Sequence, residues 1–340
     1  MTSATNKAHQ FTSGHRHLHW FRNELRLAGN LALASHAAVD SLLCVYLIPN
    51  PRPWCNLTGL GGQRDRFLRE SLQALKDELQ AFGQDLMVLE GAPELVLPDL
   101  VRQFHITEVS THFAPGYYER KTIEHLERHL SVPLKVHRGN SLLDIDTLPF
   151  ALEALPATFT PFRKQVEAAH TDRKFAPVAM LSQLPPPPAG QFDAIPKAAA
   201  SANPALAIRG GRAAGLSRLR QFTFDQQDIV QYKTTRNGLD GFSGSSTLSP
   251  WLANGGLSVR EVAHTISTFE REQTKNESTY WLYFELLWRE FFYWRAVADD
   301  YKLFQLGGKS GNGKHCTFEP RAFARWCAGD TDYPLVNALM

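Results

Sequence analysis

Residues 277–296, ESTYWLYFELLWREFFYWRA, place ionisable groups inside the most aromatic stretch of the chain. From Tyr280 to Trp294, nine of fifteen residues are aromatic, yet Glu285 and Arg289 stand among them. On a helix, Trp281, Glu285, Trp288 and Arg289 fall on nearly one face, because the last three follow the first by 4, 7 and 8 residues. Glu285 and Arg289 can pair across one turn, which makes their burial tolerable. Two readings stay open. The helix is a core element with a structural ion pair, or it is a cavity wall where a carboxylate and an indole meet a ligand between flat stacking surfaces.

A second stretch, YKTTRNGLDGFSGSSTLSPWLANGGLS (232–258), gathers hydroxyls and glycines ahead of a helix expected to begin near Leu248. Hydroxyls and free peptide N–H groups there suit a phosphate or pyrophosphate. The alternative is an ordinary serine-rich turn and N-cap. In RGGRAAGLSRLR, the side chains of Arg209, Arg212, Arg218 and Arg220 have no acid among them. That reads as a solvated helix face in preference to a track for DNA phosphates. Cys44, Cys55, Cys316 and Cys327 form no CxxC, so the expectation is a reduced, cytoplasmic protein with no metal site.

Both stretches need elements to position them. The chain has 340 residues, 43% hydrophobic and 21% charged, which suits two ordinary domains with a sizeable core. A net charge of +2 is too mild to require a polyanionic partner. No uncharged run reaches the length of a membrane span. The polar opening MTSATNKAHQFTSGH reads as a frayed terminus, a short organelle-targeting segment being the alternative. From 15 to 140, HRHLHWF, SLLCVYLI, DLMVLEG and ITEVSTH read as strands. Between and after them, QRDRFLRESLQALKDELQAFG, APELVLPDLVRQFH and GYYERKTIEHLERHL read as helices. Alternation of this kind predicts a doubly wound parallel sheet, and no GxGxxG follows the first strand. Residues 141–204 form a connector in which Pro185–Pro188 run extended, and residues 205–340 are helical.

The chain resembles the photolyase/cryptochrome family, and within it the cryptochrome-DASH branch, from about residue 18 to its last residue. The resemblance rests on WFRNELRL (20–27), FLRESLQALKDEL, LPATFTPFRKQVE (155–167), YKTTRNGL (232–239), GSSTLSPWLANGGLS (244–258) and STYWLYFELLWREFF (278–292). It implies an N-terminal α/β domain and a C-terminal all-helical domain holding FAD, of which this chain carries the N-terminal part. It also implies blue-light repair of cyclobutane pyrimidine dimers, in the DASH branch with a preference for single-stranded DNA, by a monomer. A blue-light receptor without repair and an inactive homologue that holds no FAD are the alternatives.

Carried over residue by residue, Tyr232 is expected beside the flavin phosphates, with Ser245, Ser246, Thr247, Leu248 and Ser249 holding the pyrophosphate. Glu285 matches the carboxylate beside the flipped dimer, Trp288 the indole that stacks on it, and Arg289 an arginine of the flavin pocket. Relatives continue past YPLVNALM (333–340) into R-x-L-x-x-T-G and further helices. The outer tryptophan of their electron-transfer relay falls on Cys316, ten residues before Trp326, so the usual light-driven reduction is expected to be absent. For a folate antenna, methenyltetrahydrofolate, the acidic holder falls on Gly116, with Glu119 nearby. Gly29 stands where an Asp-Asn-Pro run is usual.

Overall fold

The computed structural model describes residues 14–48, 59–172, 175–190, 192–196, 208–238, 244–313 and 317–340. Residues 1–13, Cys55, Cys316 and part of the connector lie outside them. The chain clusters into two compact units, one of residues 1–50 and 61–298, the other of 51–60 and 299–340.

In the larger unit, five strands form one parallel sheet: β1 (Arg16–Phe21), β2 (Ser41–Ile48), β3 (Leu86–Glu90), β4 (Glu108–His112) and β5 (Leu134–His137). Their order is β3-β2-β1-β4-β5, with crossover helices between them, as the alternation predicts. The middle strands bury both faces, and β2 accordingly reads as a nearly unbroken apolar run, whereas β1 and β4 bury polar side chains among them, His19, Ser110, Thr111 and His112. Leu43, Val45 and Leu47 pack on the face that also holds Leu97, Val101 and Leu126, from α3 (Pro93–Gln103) and α4 (Tyr117–His129). Leu42 and Cys44 point the other way, against Leu72, Leu75 and Leu79 of α2 (Gly62–Ala81). A short α1 (Leu31–Ala34), capped by the Asn30 side chain, precedes β2. The polyproline segment lies beside the sheet, where Pro186 O accepts from Leu42 N and Pro185 O from the Gln84 amide.

The helices α5 (Phe159–Ala169), α6 (Arg212–Arg220), α7 (Tyr232–Thr235), α8 (Ser249–Asn254), α9 (Val259–Glu272) and α10 (Glu277–Asp299) share a second core. A wider π turn over Gln221–Asp225 ends α6. The α/β part and these helices join through hydrogen bonds that each engage at least one backbone group. Leu25 N donates to Asn254 O, Arg26 Nη1 to Gly255 O and Gly211 N to Ser71 Oγ. Gly255 turns at φ 73°, and a Cβ there would lie 2.0 Å from Asn23 O, so the contact admits only glycine. Of the arginines of RGGRAAGLSRLR, Arg209 and Arg220 are solvated as expected, but the other two are not. Arg212 is bidentate to Glu261 at 2.6 and 2.8 Å, and Arg218 is buried.

The smaller unit holds α11 (Pro320–Cys327) and α12 (Pro334–Leu339). Arg325 bridges Asp330 and Asp332, and Asn337 closes the turn at Thr331. Phe304, Phe318, Trp326, Tyr333 and Leu335 are exposed.

The acid most deeply set in the aromatic helix is Glu290, fully buried. Its carboxylate accepts from Ser141 Oγ at 2.7 Å, Leu142 N at 2.8 Å, Leu143 N at 3.1 Å and Trp294 Nε1 at 2.7 Å. Removing it strands donors that water cannot reach. Glu290→Ala is expected to lower unfolding free energy by about 3 kcal/mol or more, measured by chemical denaturation.

Candidate functional site

Four elements of the larger unit converge near the start of α10. The Asn276 side chain caps this helix, accepting from Ser278 N at 2.8 Å and Thr279 N at 2.9 Å. Ser278 Oγ in turn accepts from Lys233 N, and Lys233 Nζ sits 2.7 Å from Glu277, which fixes α7 against the helix start. Two turns along, the Glu285 carboxylate takes Arg236 Nη1 at 3.0 Å and the Trp281 indole N–H at 3.1 Å. Arg236 also lies over the Trp281 ring, 5.4 Å from its centroid, as does Lys233 Nζ at 5.0 Å.

Glu285 therefore does not pair with Arg289. The Arg289 guanidinium donates to the carbonyl and side-chain oxygens of Asn140 at 3.1–3.2 Å, and burial lowers its pKa. Helical spacing made the pair available, but Arg236 and Asn140 come from other elements and compete successfully. Trp288 is half-buried and stacks on Phe159, ring centroids 3.7 Å apart and planes 12° from parallel. Phe292 stacks less closely, at 5.7 Å.

The hydroxyl loop lies beside this group. Tyr232 is buried at the start of α7, edge-on to Phe222, and its side chain shares a hydrogen bond with Ser246. Burial, and next the Glu285 charge, raise its phenol pKa. Arg218 holds the loop from one side. It donates to Ser245 O at 2.7 Å, Ser246 O at 3.1 Å and Thr247 Oγ1 at 3.0 Å. A trans peptide points its C=O and the next N–H in opposite directions. The Ser246 and Thr247 N–H groups are thereby turned away from Arg218. Thr247 adopts φ 52°, a left-handed conformation costly for a β-branched residue and held here by the Arg218 contact. Leu248 is buried and precedes α8, whose first residue, Ser249, is exposed.

Tyr232, Ser245, Ser246, Thr247 and Glu285 thus come together, with Leu248 beneath the loop and Ser249 outside it. Trp288 continues the same helix, and Arg289 is turned to Asn140. Two arginines central to the group, Arg236 and Arg218, escape sequence reasoning as parts of the site. Arg236 stands within YKTTRNGL, where a cation beside two hydroxyls was the available signal. Arg218 was hidden among four similar arginines. Elsewhere, the Glu119 carboxylate folds over Gly116, where a Cβ would lie 2.1 Å from it, at the start of α4. Among the described residues, no helix is long and apolar enough to cross a membrane.

Arg218→Met keeps the aliphatic stem and removes every contact to the loop. The expected result is a stability loss of about 2–3 kcal/mol in denaturant unfolding. Faster amide hydrogen exchange at Ser246 and Thr247 should accompany it.

Residues 17–188 match the family model described as DNA photolyase. Cryptochrome DASH of Idiomarina loihiensis is 36% identical over 94% of this chain and 72% of its own length. Cryptochrome DASH of Synechocystis sp. is 35% identical over 94% of this chain and 68% of the relative. The solved cryptochrome of Synechocystis sp. superposes with a TM-score of 0.83 at 34% identity, covering 94% of this chain and 69% of that one. A bacterial class III photolyase from Agrobacterium tumefaciens shares the fold, with a TM-score of 0.74 at 23% identity over 98% and 69% of the two chains. By these matches, together with the sheet order and the helical core, the chain belongs to the photolyase/cryptochrome family, in its cryptochrome-DASH branch.

Proposed function

We propose that this chain binds FAD and uses blue light to split cyclobutane pyrimidine dimers in DNA, with single-stranded DNA the preferred substrate and a monomer the working form. The observation that carries the reading is the grouping of Arg236, Glu285 and Trp281 beside the Arg218-braced loop. That group suits a flavin dinucleotide at both ends. Peptide N–H groups turned away from Arg218, together with the Ser245 hydroxyl and the Lys233 and Arg236 charges, match a pyrophosphate, while the Thr247 hydroxyl is held on the Arg218 side. Arg236 Nε is buried without a hydrogen-bond partner, so a donor is left for an incoming acceptor. When bound, FAD would supply the light-driven electron donation that opens the cyclobutane ring.

The chain's own residues have distinct tasks in this reading. Glu285, oriented by Arg236 and the Trp281 indole, presents a carboxylate that can hydrogen-bond a pyrimidine edge. Trp288 offers an indole surface that recovers stacking lost when a base leaves its neighbours. Phe159 takes up one face of that ring, so a lesion must share the indole with it. A single strand needs no base pair broken before the lesion can turn out, which favours it over a duplex. The Phe159 stack is also the observation that favours a second reading, a blue-light receptor with the same flavin and no repair.

An absorbance spectrum of the purified chain, with its flavin-to-protein ratio, tests the cofactor. Bound flavin near one per chain is expected, and a colourless protein would refute the reading. Glu285→Ala should keep the flavin and reduce the repair rate on dimer-containing single strands by about 10- to 100-fold, as the loss of one charged hydrogen bond predicts. Full activity in that variant removes Glu285 from the mechanism. Bound flavin without any repair by the unaltered chain selects the receptor.

A further inference from the structure

The N-terminal ends of the middle strands carry a polar cluster, at the sheet edge opposite the crevice where ligands of such sheets usually bind. His17, near the start of β1, is the register partner of Glu108, the first residue of β4. His36, from the turn after α1, is fully buried against them. His17 Nδ1 and His36 Nδ1 are 2.9 Å apart, and Glu108 Oε1 is 3.6 Å from His17 Nδ1. Among the described residues this is the one trio of metal-ligating side chains whose ligand atoms all lie within 4.8 Å of one another.

The surrounding contacts orient the three donors. His36 Nε2 is 2.7 Å from Ser110 Oγ, which is 2.8 Å from His19 Nδ1. With Nε2–H donating to Ser110, and the hydroxyl donating to His19, a lone pair is left on His36 Nδ1. Lys135 Nζ engages Glu108 Oε2 at 2.7 Å, so the other carboxylate oxygen is the one turned to the histidines. Outer partners of this kind fix the tautomer and aim of metal-binding groups. Two nitrogens on a tetrahedral zinc stand about 3.3 Å apart, so the pair need open by only about 0.4 Å.

We propose that His17 Nδ1, His36 Nδ1 and Glu108 Oε1 bind one zinc(II) ion, with water completing a tetrahedral set. Two imidazoles and a carboxylate are borderline donors suited to zinc over magnesium or calcium. No local motif announces this site, because His17 and Glu108 lie on strands brought together by the fold and no cysteine takes part.

The test uses the whole chain after treatment with a chelator, titrated at near-neutral pH with zinc(II) by calorimetry and with cobalt(II) by visible absorbance. One ion per chain is expected, with the d–d bands of a tetrahedral cobalt site. His17→Ala and Glu108→Gln should each weaken binding at least tenfold. Glu108→Gln is nearly isosteric and decides the matter if His17→Ala does not fold. His125 and His129, stacked 4.1 Å apart on α4, are the rival carrier of zinc. Binding lost in His125→Ala and retained in Glu108→Gln would overturn the proposal, as would no binding by the unaltered chain.

Discussion

A carboxylate taken out of water must find donors, and Glu290 finds them on a different part of the chain. Two of its partners are peptide N–H groups of the segment just after the sheet, and a third is a hydroxyl from the same segment. The fourth is the indole of Trp294, one turn along its own helix. Because hydrogen bonds to a buried charge are directional as well as strong, they fix both the depth and the rotation of α10. Trp281, Glu285 and Trp288 are carried on that helix. Their aim follows from an acid that never meets a ligand.

The same logic governs the seam between the sheet and the helices. Arg26 is almost fully buried, and its guanidinium is spent on the carbonyls of Ala28 and Gly255. Ser71 of α2 accepts from Gly211 N and from the Asn254 amide. Packing of apolar side chains alone would tolerate sliding. Backbone groups held at hydrogen-bond distance do not, so the end of α8 and the turn after it keep a fixed register with the strand-end loop after β1.

Much of this was legible in the sequence. Unbroken apolar runs of strand length stand out from the amphipathic helices between them, so SLLCVYLI and DLMVLEG announced themselves. β5 did not, because Leu134–His137 is four residues long and carries no fully buried side chain. Within the site, periodicity identified the face of α10 and composition identified the hydroxyl loop. It could not tell which partner an ion would choose. Glu285 has Arg289 one turn away, yet it pairs with an arginine 49 residues upstream, and Glu290 reaches back nearly 150. Local pattern specifies the elements, while charge pairing between elements is decided by the packed chain. The Thr247 conformation was equally hidden, since it depends on Arg218 arriving from α6.

The long reach of Glu290 also sets an order of events during synthesis. Its acceptor atoms lie 147 to 149 residues downstream of the Ser141, Leu142 and Leu143 donors. At ribosomal rates of about 5–20 residues per second, those donors wait roughly 7–30 s for their partner. Over that interval the sheet can assemble, whereas the segment leaving it has no permanent place. A nascent chain paused before α10 therefore holds a finished α/β layer with an open end, the state in which a chaperone or a neighbouring ribosome's product would meet it.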